Sequence, residues 1–218
     1  MKPLKVAIIG AGCGDHLAPF GDHDWECWGL NRCWVNYKSH ESVERKYARW
    51  FELHRRGFLQ WESEEEQAGF LRILRSLPVY VQDITEWPEM LTVQPFPFEQ
   101  VQALAPEFAN YHACSIDWML AYAITEGATQ IALYGVEQWH TAEPMSSRAC
   151  LEFWAGFATA RGIKVTSAEG STFRLAQIVY TKTPYAFDPI WLPRRDEANE
   201  ESTLRTETKR LEKIFQDG

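Results

Sequence analysis

A short apolar run that stops at glycines constrains the fold more than any other feature of this sequence. Residues Leu4–Ile9 are rich in branched side chains, and the run GAGCG follows them directly at positions 10–14. A short, mostly apolar run of this kind is typical of a parallel strand that is buried on both faces. Small residues after such a strand let the backbone approach a phosphate or carboxylate with its N–H groups. The pattern predicts an α/β fold and assigns Gly10, Gly12 and Gly14 to ligand binding.

Further short apolar runs alternate with segments of helical periodicity. We predict strands at Trp25–Leu30, Arg49–Leu53, Pro78–Gln82, Gln130–Tyr134 and Ile163–Thr166. We predict helices at Glu62–Leu77, Ser115–Glu126 and Arg148–Ala160, with Ser115 as the cap of the second. This alternation predicts a Rossmann-like fold, with a mostly parallel sheet flanked by helices. One such domain is expected over residues 1–195, followed by a charged amphipathic helix over 196–218.

A proline-rich stretch after Thr92 interrupts this alternation. Residues 94–98 read QPFPF, and Pro106 follows soon after. Prolines at this density disfavour regular structure, so we expect a long loop that crosses the face of the sheet. Long loops of this kind often act as lids over a binding site.

Composition excludes several classes of function. A net charge of −8 disfavours a nucleic-acid groove, since affinity for phosphates depends on clustered Lys and Arg. The five cysteines form no CxxC pair, so neither a disulfide framework nor a zinc site is expected. No apolar run approaches the roughly 20 residues of a membrane helix, and the start of the chain leads straight into a strand. These features favour a cytoplasmic protein without a membrane partner.

Polar or glycine residues follow four of the predicted strands. The glycines at 10–14 follow the first strand, Asn31 the second, His54 the third, and Gly135 the strand at 130–134. Because parallel strands end at one edge of a sheet, these residues are expected to converge on a ligand. Asn31 offers a donor and an acceptor to a base or ribose, and His54 offers a general base or a phosphate partner. The alternative is that both only cap neighbouring loops.

Two further pairs of residues are candidates for the site. His112 and Ser115 lie at the start of the helix at 115–126, where the N-terminus attracts anions. Glu137 and His140 follow a strand, and a carboxylate with a nearby imidazole suits acid/base catalysis on a hydroxyl, so we predict them as catalytic. A polar surface loop is the alternative explanation for the second pair.

The glycine run departs from two familiar cofactor motifs. The dinucleotide fingerprint requires GxGxxG and an acidic residue after the second strand, whereas here Asp15 stands in place of the third glycine and Asn31 follows the strand. Methyltransferases that use S-adenosylmethionine share the glycine spacing but usually carry an acidic residue where Ile8 stands. Both cofactors are therefore weak fits.

The segment after the glycines contains Asp15-His16 and Asp22-His23-Asp24, which offer oxygen and nitrogen ligands to a divalent metal. Such residues in a polar loop are more often turn formers and caps. We therefore predict no metal.

Three segments resemble known proteins: WECWGLN at 25–31, RWFELH at 49–54, and residues 114–137, which end in IALYGVE. Together they resemble small Rossmann-like proteins encoded by bacteriophages and prophages, mostly of unassigned function. The layout is more distantly similar to sialyltransferases of glycosyltransferase family 42 and to flagellin-modifying proteins of the MAF type. In those enzymes a glycine loop, an Asn after the second strand, a Ser-containing turn and a Gly-hydrophobic-Asp turn form the CMP-sugar site.

This resemblance implies nucleotide contacts for Gly10, Gly12, Asn31, Ser115 and Gly135. The family's Asn-Gly-Pro-Ser type of loop is absent, and Glu137 replaces the usual Asp.

The resemblance and the edge residues together predict a nucleotide-sugar-dependent glycosyltransferase in which Glu137 or His140 activates the acceptor. A non-catalytic phage protein that senses or sequesters a nucleotide is the second hypothesis, and an enzyme dependent on NAD or S-adenosylmethionine is the third. The expected ligand is a nucleotide or nucleotide sugar, the expected location is the cytoplasm (of the host, if the chain is phage-encoded), and the C-terminal helix is a candidate contact for homo-oligomers.

Overall fold

A computed structural model describes residues 2–12, 14–34, 46–59, 63–136 and 145–168. Seven strands in these ranges form one sheet, in which every pair of neighbours is parallel. They are β1 (Leu4–Ile9), β2 (Trp25–Leu30), β3 (Arg49–Glu52), β4 (Val79–Val81), β5 (Val93–Pro95), β6 (Ala128–Tyr134) and β7 (Lys164–Ser167). Their order across the sheet is β5-β4-β3-β2-β1-β6-β7. The predicted α/β class is confirmed.

The helices of the described ranges connect these strands. They are α1 (Glu64–Leu74), α2 (Phe98–Gln102), α3 (Ser115–Thr125) and α4 (Met145–Ala160). Since the connected strands are parallel, α1, α3 and α4 run antiparallel to them and begin at the carboxyl edge of the sheet. In the part of the chain that the structure describes, no helix is both long and apolar enough to cross a bilayer.

Alternate residues of β1 point to opposite faces of the sheet. Val6 and Ile8 join a hydrophobic cluster with α3 and α4, whereas Ala7 and Ile9 join a second cluster with α1. All four side chains are fully buried, because a strand covered by helices on both faces is apolar at every position. Only the ends of this central strand are therefore left for polar chemistry.

The strand order reverses between β1 and β6. From β1 the chain builds β2 to β5 outward in one direction, and α3 then returns it so that β6 pairs with the other side of β1. Open α/β sheets bind ligands in the crevice at such a reversal, outside the carboxyl ends of the strands. In this fold the crevice lies between the residues that follow β1 and those that follow β6.

The stretch after Thr92 is not the long loop that its prolines predict. Val93–Pro95 pairs with β4 as an edge strand, and Pro97 caps α2. Proline is tolerated at a sheet edge, where its missing N–H is not needed. Phe96 and Val101 are buried in the cluster under α3, so the apolar residues of this segment belong to the core rather than to a lid.

Several strands and the helix that starts at Ser115 differ from the predictions by one or two residues at an end, and two helix boundaries differ by more. The helix predicted at Glu62–Leu77 is observed at Glu64–Leu74, and the one predicted from Arg148 begins at Met145. The division predicted at residue 195 lies outside the described residues and stays a prediction.

Candidate functional site

The loops after β1 and β6 meet through their backbones. The N–H of Gly10 donates to the carbonyl of Tyr134 (2.8 Å), and the N–H of Gly12 donates to the carbonyl of Gly135 (2.7 Å). Gly135 has φ +59°, a conformation that favours glycine. The structure thus brings Gly10, Gly12 and Gly135 together at the strand reversal. Two N–H groups that the sequence assigned to a ligand are already used inside the protein.

A buried carboxylate follows the glycine run. Gly14 adopts φ +82°, and Asp15, only 4 % exposed, begins a short 3-10 turn (Asp15–Leu17). His16 Nδ1 lies 3.7 Å from Asp15 Oδ1. Since like charges repel, a carboxylate where a dinucleotide-binding loop has its third glycine disfavours a pyrophosphate at this point. The geometry agrees with the weak fit of NAD.

Asn31 occupies a strained backbone position at the carboxyl end of β2. It has φ +46°, and in the described ranges it is the one non-glycine residue with positive φ. Its Oδ1 is buried, and no described residue donates to it. A buried acceptor without a donor costs about 1–3 kcal/mol. Strain and an unmet acceptor at one residue are features that cluster at ligand sites.

A carboxylate and an imidazole lie together at the end of β3. Glu52 is fully buried, and its Oε1 accepts the backbone N–H of His54 (3.4 Å) and lies 3.1 Å from His54 Nδ1. Glu52 Oε2 is also buried and contacts no described donor. By contrast, the His54 side chain is 53 % exposed. The imidazole of the predicted site residue His54 is therefore partly exposed, and its Nδ1 contacts a buried carboxyl group.

The sequence interpretation missed Glu52, although a signal was present. Charged residues are almost never fully buried unless paired, and a strand covered on both faces should be apolar throughout. A glutamate inside the predicted strand RWFEL was therefore an anomaly that required a functional explanation.

The chain just beyond β3 is fixed by hydrogen bonds to the neighbouring segment after β4. The Gln82 side chain donates to the carbonyl of Leu53. The backbone N–H of Arg56 donates to Glu86 Oε2 (2.7 Å), and its guanidinium donates to Glu89 (2.8 Å). The hydrogen bond from Arg56 lowers the pKa of Glu89. His54 is thus flanked on both sides by anchored backbone.

His112 lies stacked between two indoles. Its ring centroid is 3.6 Å from that of Trp118 and 4.7 Å from that of Trp154, with interplanar angles of 10° and 14°. Nδ1 lies 2.9 Å from Asp117 Oδ1, and the side chain is 2 % exposed. Nε2 is buried and meets no described partner. This imidazole packs inside the protein, in contrast to His54.

The N-terminus of α3 already holds a carboxylate. Asp117 is fully buried, and its Oδ2 accepts the N–H groups of Ala113 (2.8 Å) and Cys114 (2.9 Å). Cys114 is the N-cap and Ser115 is the first helical residue, so the prediction that Ser115 caps the helix is wrong. Burial and the Asp117 charge raise the pKa of the Cys114 thiol. An external anion would have to compete with Asp117 for this end of the helix.

The remaining predictions concern the catalytic pair Glu137 and His140, a metal, and the segment Asp22-His23-Asp24. Glu137 and His140 lie outside the described residues, so their catalytic role stays a prediction. In the described ranges no three His, Cys, Asp or Glu side chains are grouped to hold a metal. Asp22 Oδ1 accepts the N–H of Asp24 (2.8 Å), and Asp24 pairs with Lys2 (2.6 Å), as turn-forming residues do.

The fold and its crevice define a doubly wound α/β protein. Among solved structures the chain is similar to the sialyltransferase CstII from Campylobacter jejuni in complex with cytidine monophosphate. The TM-score is 0.53 at 16% identity, with 79% of this chain and 82% of that chain covered. An α-2,3-sialyltransferase of the same organism, in apo form, matches with a TM-score of 0.52 at 14% identity, covering 78% and 77%. The monofunctional α-2,3-sialyltransferase Cst-I matches at 0.51 and 12% identity, covering 84% and 80%.

TM-scores just above 0.5 at such low sequence identity establish a shared fold and nothing finer. No protein-family profile and no curated protein matches the chain. The resemblance to sialyltransferases is therefore supported in architecture, whereas the resemblance to phage and MAF-type proteins stays a prediction.

Proposed function

We propose that this chain is a nucleotide-sugar-dependent glycosyltransferase that binds its nucleotide at the carboxyl edge of the sheet, beside the reversal between β1 and β6. The observation that carries the proposal is Asn31. Its Oδ1 is buried without a described donor, on a left-handed backbone one strand away from that reversal. An amino group of a base or a hydroxyl of a ribose supplies the missing donor.

A cytidine nucleotide is the first ligand to test. A neighbour of the same architecture was solved with cytidine monophosphate bound. The amino group of cytosine and the ribose hydroxyls are donors that suit the Asn31 oxygen. With two glycine N–H groups occupied and Asp117 at the N-terminus of α3, the recognition we propose depends on base and ribose more than on phosphate.

The proposed reaction transfers the sugar of the donor to an acceptor hydroxyl. Glu137 and His140, which follow β6 in the chain, remain the candidates that the sequence supplies for activating that hydroxyl. A protein that binds the nucleotide without turning it over is the competing proposal, because the crevice and Asn31 would serve it equally well.

A thermal-shift panel of CMP, UDP, GDP, NAD and S-adenosylmethionine tests this proposal. A ligand that binds only the folded state at a hundredfold excess over Kd stabilises it by about 2.7 kcal/mol. We expect CMP to raise the melting temperature most. The absence of a shift with every nucleotide would refute the proposal, and a shift with NAD or S-adenosylmethionine alone would favour the third hypothesis.

Three substitutions at Asn31 separate its side chain from its backbone. Asn31→Gly removes the amide but tolerates φ +46°, whereas Asn31→Ala adds backbone strain. We expect Asn31→Gly to keep the fold and weaken nucleotide binding by about 1–3 kcal/mol. Asn31→Asp keeps the acceptor and adds a charge, so it should spare ribose contacts and repel a nearby phosphate. Wild-type affinity in all three variants would show that Asn31 only shapes the turn.

A further inference from the structure

We propose that His54 is the base that takes the proton from the acceptor hydroxyl and that Glu52 is its positioning residue. This inference deepens the proposed function and rests on it. It assigns the proton transfer to the end of β3, one strand away from Asn31, rather than to the residues after β6.

The first argument is the state of the ring nitrogens. An ionised carboxylate has no proton to donate, so with Glu52 in that form the 3.1 Å contact between Glu52 Oε1 and His54 Nδ1 requires a proton on Nδ1. In the neutral ring the lone pair is then on Nε2. A carboxylate that holds an imidazole in this tautomer prepares it to accept a proton at Nε2 and stabilises the imidazolium that forms.

The second argument is the contrast in burial within the pair. Glu52 is fully buried, whereas 53 % of the His54 side chain is exposed. Nδ1 faces the buried carboxylate, and about half of the side chain is open to the carboxyl edge of the sheet. An acceptor hydroxyl that approaches the carboxyl edge of the sheet can therefore reach the His54 ring, but not Glu52.

The third argument is the rigidity of the support. Glu52 also accepts the backbone N–H of His54, and Gln82 fixes the carbonyl of the intervening Leu53. Arg56 is tied to the segment after β4 immediately afterwards. A group whose backbone and ring are both restrained loses little freedom when it reacts.

Two other described histidines lie near a buried carboxylate. His16 Nδ1 is 3.7 Å from Asp15 Oδ1, which is longer than a hydrogen bond, so this contact does not fix the tautomer of the ring. The second histidine, His112, is enclosed. His112 also pairs with an acid, Asp117, but its side chain is 2 % exposed and lies between two indoles. An acceptor cannot reach its Nε2 without displacing the packing around it.

The proposed transfer exchanges one bond at the sugar for another. The acceptor oxygen forms a bond to the anomeric carbon of the donor sugar, and the bond from that carbon to the nucleotide phosphate oxygen breaks with its electron pair leaving on the phosphate. The acceptor proton passes to His54 Nε2, and the buried charge of Glu52 stabilises the resulting imidazolium. When water is the acceptor, the products are the free sugar and the nucleotide.

The test measures release of free nucleotide by the full chain from CMP-sialic acid, UDP-glucose and GDP-mannose, with water and with lactose as acceptors. Nucleotide affinity is measured in parallel by calorimetry. We expect His54→Gln to lower kcat by about 10²- to 10⁴-fold with nucleotide Kd unchanged. Glu52→Gln should lower kcat less, and the double variant should be no slower than His54→Gln, since the two residues act as a unit.

His23→Gln is the matched control, because His23 is exposed and precedes β2 at the opposite edge of the sheet. It should match the wild type in both measurements. A second readout is independent of turnover: the ¹⁵N spectrum of neutral His54 should show the Nδ1–H tautomer, and Glu52→Gln should change it.

Each other outcome has its own meaning. Full turnover in His54→Gln, or loss of turnover in His140→Gln instead, overturns the inference and leaves the proposed function standing. Binding without release by the wild type overturns the inference in favour of a non-catalytic binder. Failure to bind any nucleotide refutes the proposed function and this inference with it, and an Nε2–H tautomer at His54 overturns the inference whatever the turnover.

Discussion

The carbonyl oxygen of Gly135 lies 2.5 Å from the point that a Cβ atom on Gly10 would occupy. Reciprocally, a Cβ on Gly135 would lie 2.6 Å from the carbonyl oxygen of Gly10 and 2.9 Å from that of Gly12. These atoms are backbone and cannot move away independently. The glycines after β1 and β6 are therefore required for the two loops to meet, whatever ligand they also contact.

Gly135→Ala should strongly destabilise the fold. The substitution combines a left-handed backbone with two backbone overlaps, and we expect a loss of about 3 kcal/mol or more in the free energy of unfolding. Gly127→Ala is the control: Gly127 has φ +78°, but a Cβ there would meet no atom within 4 Å, so only the backbone strain of about 1–2 kcal/mol applies. Urea denaturation measures both. Equal losses would contradict the close approach of the loops.

Replacement of His112 should cost stability rather than activity. His112→Ala leaves a space between Trp118 and Trp154 and removes the contact with buried Asp117, so we expect a loss of about 2–4 kcal/mol. His112→Phe keeps a ring between the indoles and isolates the lost contact with Asp117. Urea denaturation followed by tryptophan fluorescence reports both changes. A stable His112→Ala variant with impaired nucleotide binding would instead place His112 at the ligand, as the sequence suggested.

The fold could be predicted from the sequence wherever local pattern and burial agree. The runs at residues 6–9 and 27–30 identify the buried parts of two parallel strands, because such strands are apolar on both faces where helices cover them. The strand Val93–Pro95 was missed because Pro95 and Pro97 together resemble a loop, and Pro95 is acceptable only because this strand lies at the edge of the sheet.

The site could be predicted only in outline. Strand ends identify which residues reach the carboxyl edge, hence Asn31 and His54, but they do not show what each side chain contacts. The difference between His54, half exposed over Glu52, and His112, enclosed by indoles, depends on packing between segments far apart in the chain. The use of the Gly12 N–H by Gly135 likewise depends on a pairing between loops that are distant in sequence.

The protein should lose stability in alkaline solution through Cys27. Burial, assisted by the charge of Asp22, raises the pKa of the Cys27 thiol from 9.0 to about 12. The unfolded chain then loses this proton at lower pH than the folded chain, so stability is unaffected below about pH 9 and falls as the pH rises toward 12. Cys27→Ala should flatten the curve of unfolding free energy against pH over that interval. An unchanged slope would mean that other groups dominate.

Chemical acylation should distinguish exposed His54 from enclosed His112, each of which pairs with a buried carboxylate, and should locate the ligand. Diethyl pyrocarbonate reacts with neutral imidazole, so half-exposed His54 should be modified readily, whereas His112 is accessible only when its surroundings open. Because about 1.4 kcal/mol of opening free energy is a factor of ten, we expect His54 to react at least about tenfold faster. Peptide mass mapping after short exposures gives both rates.

A nucleotide that binds at the carboxyl edge should slow acylation of His54 and leave exposed His23, at the other edge, unaffected. If a nucleotide raises the melting temperature but does not slow the acylation of His54, the nucleotide site lies away from the end of β3. The role proposed for His54 then fails.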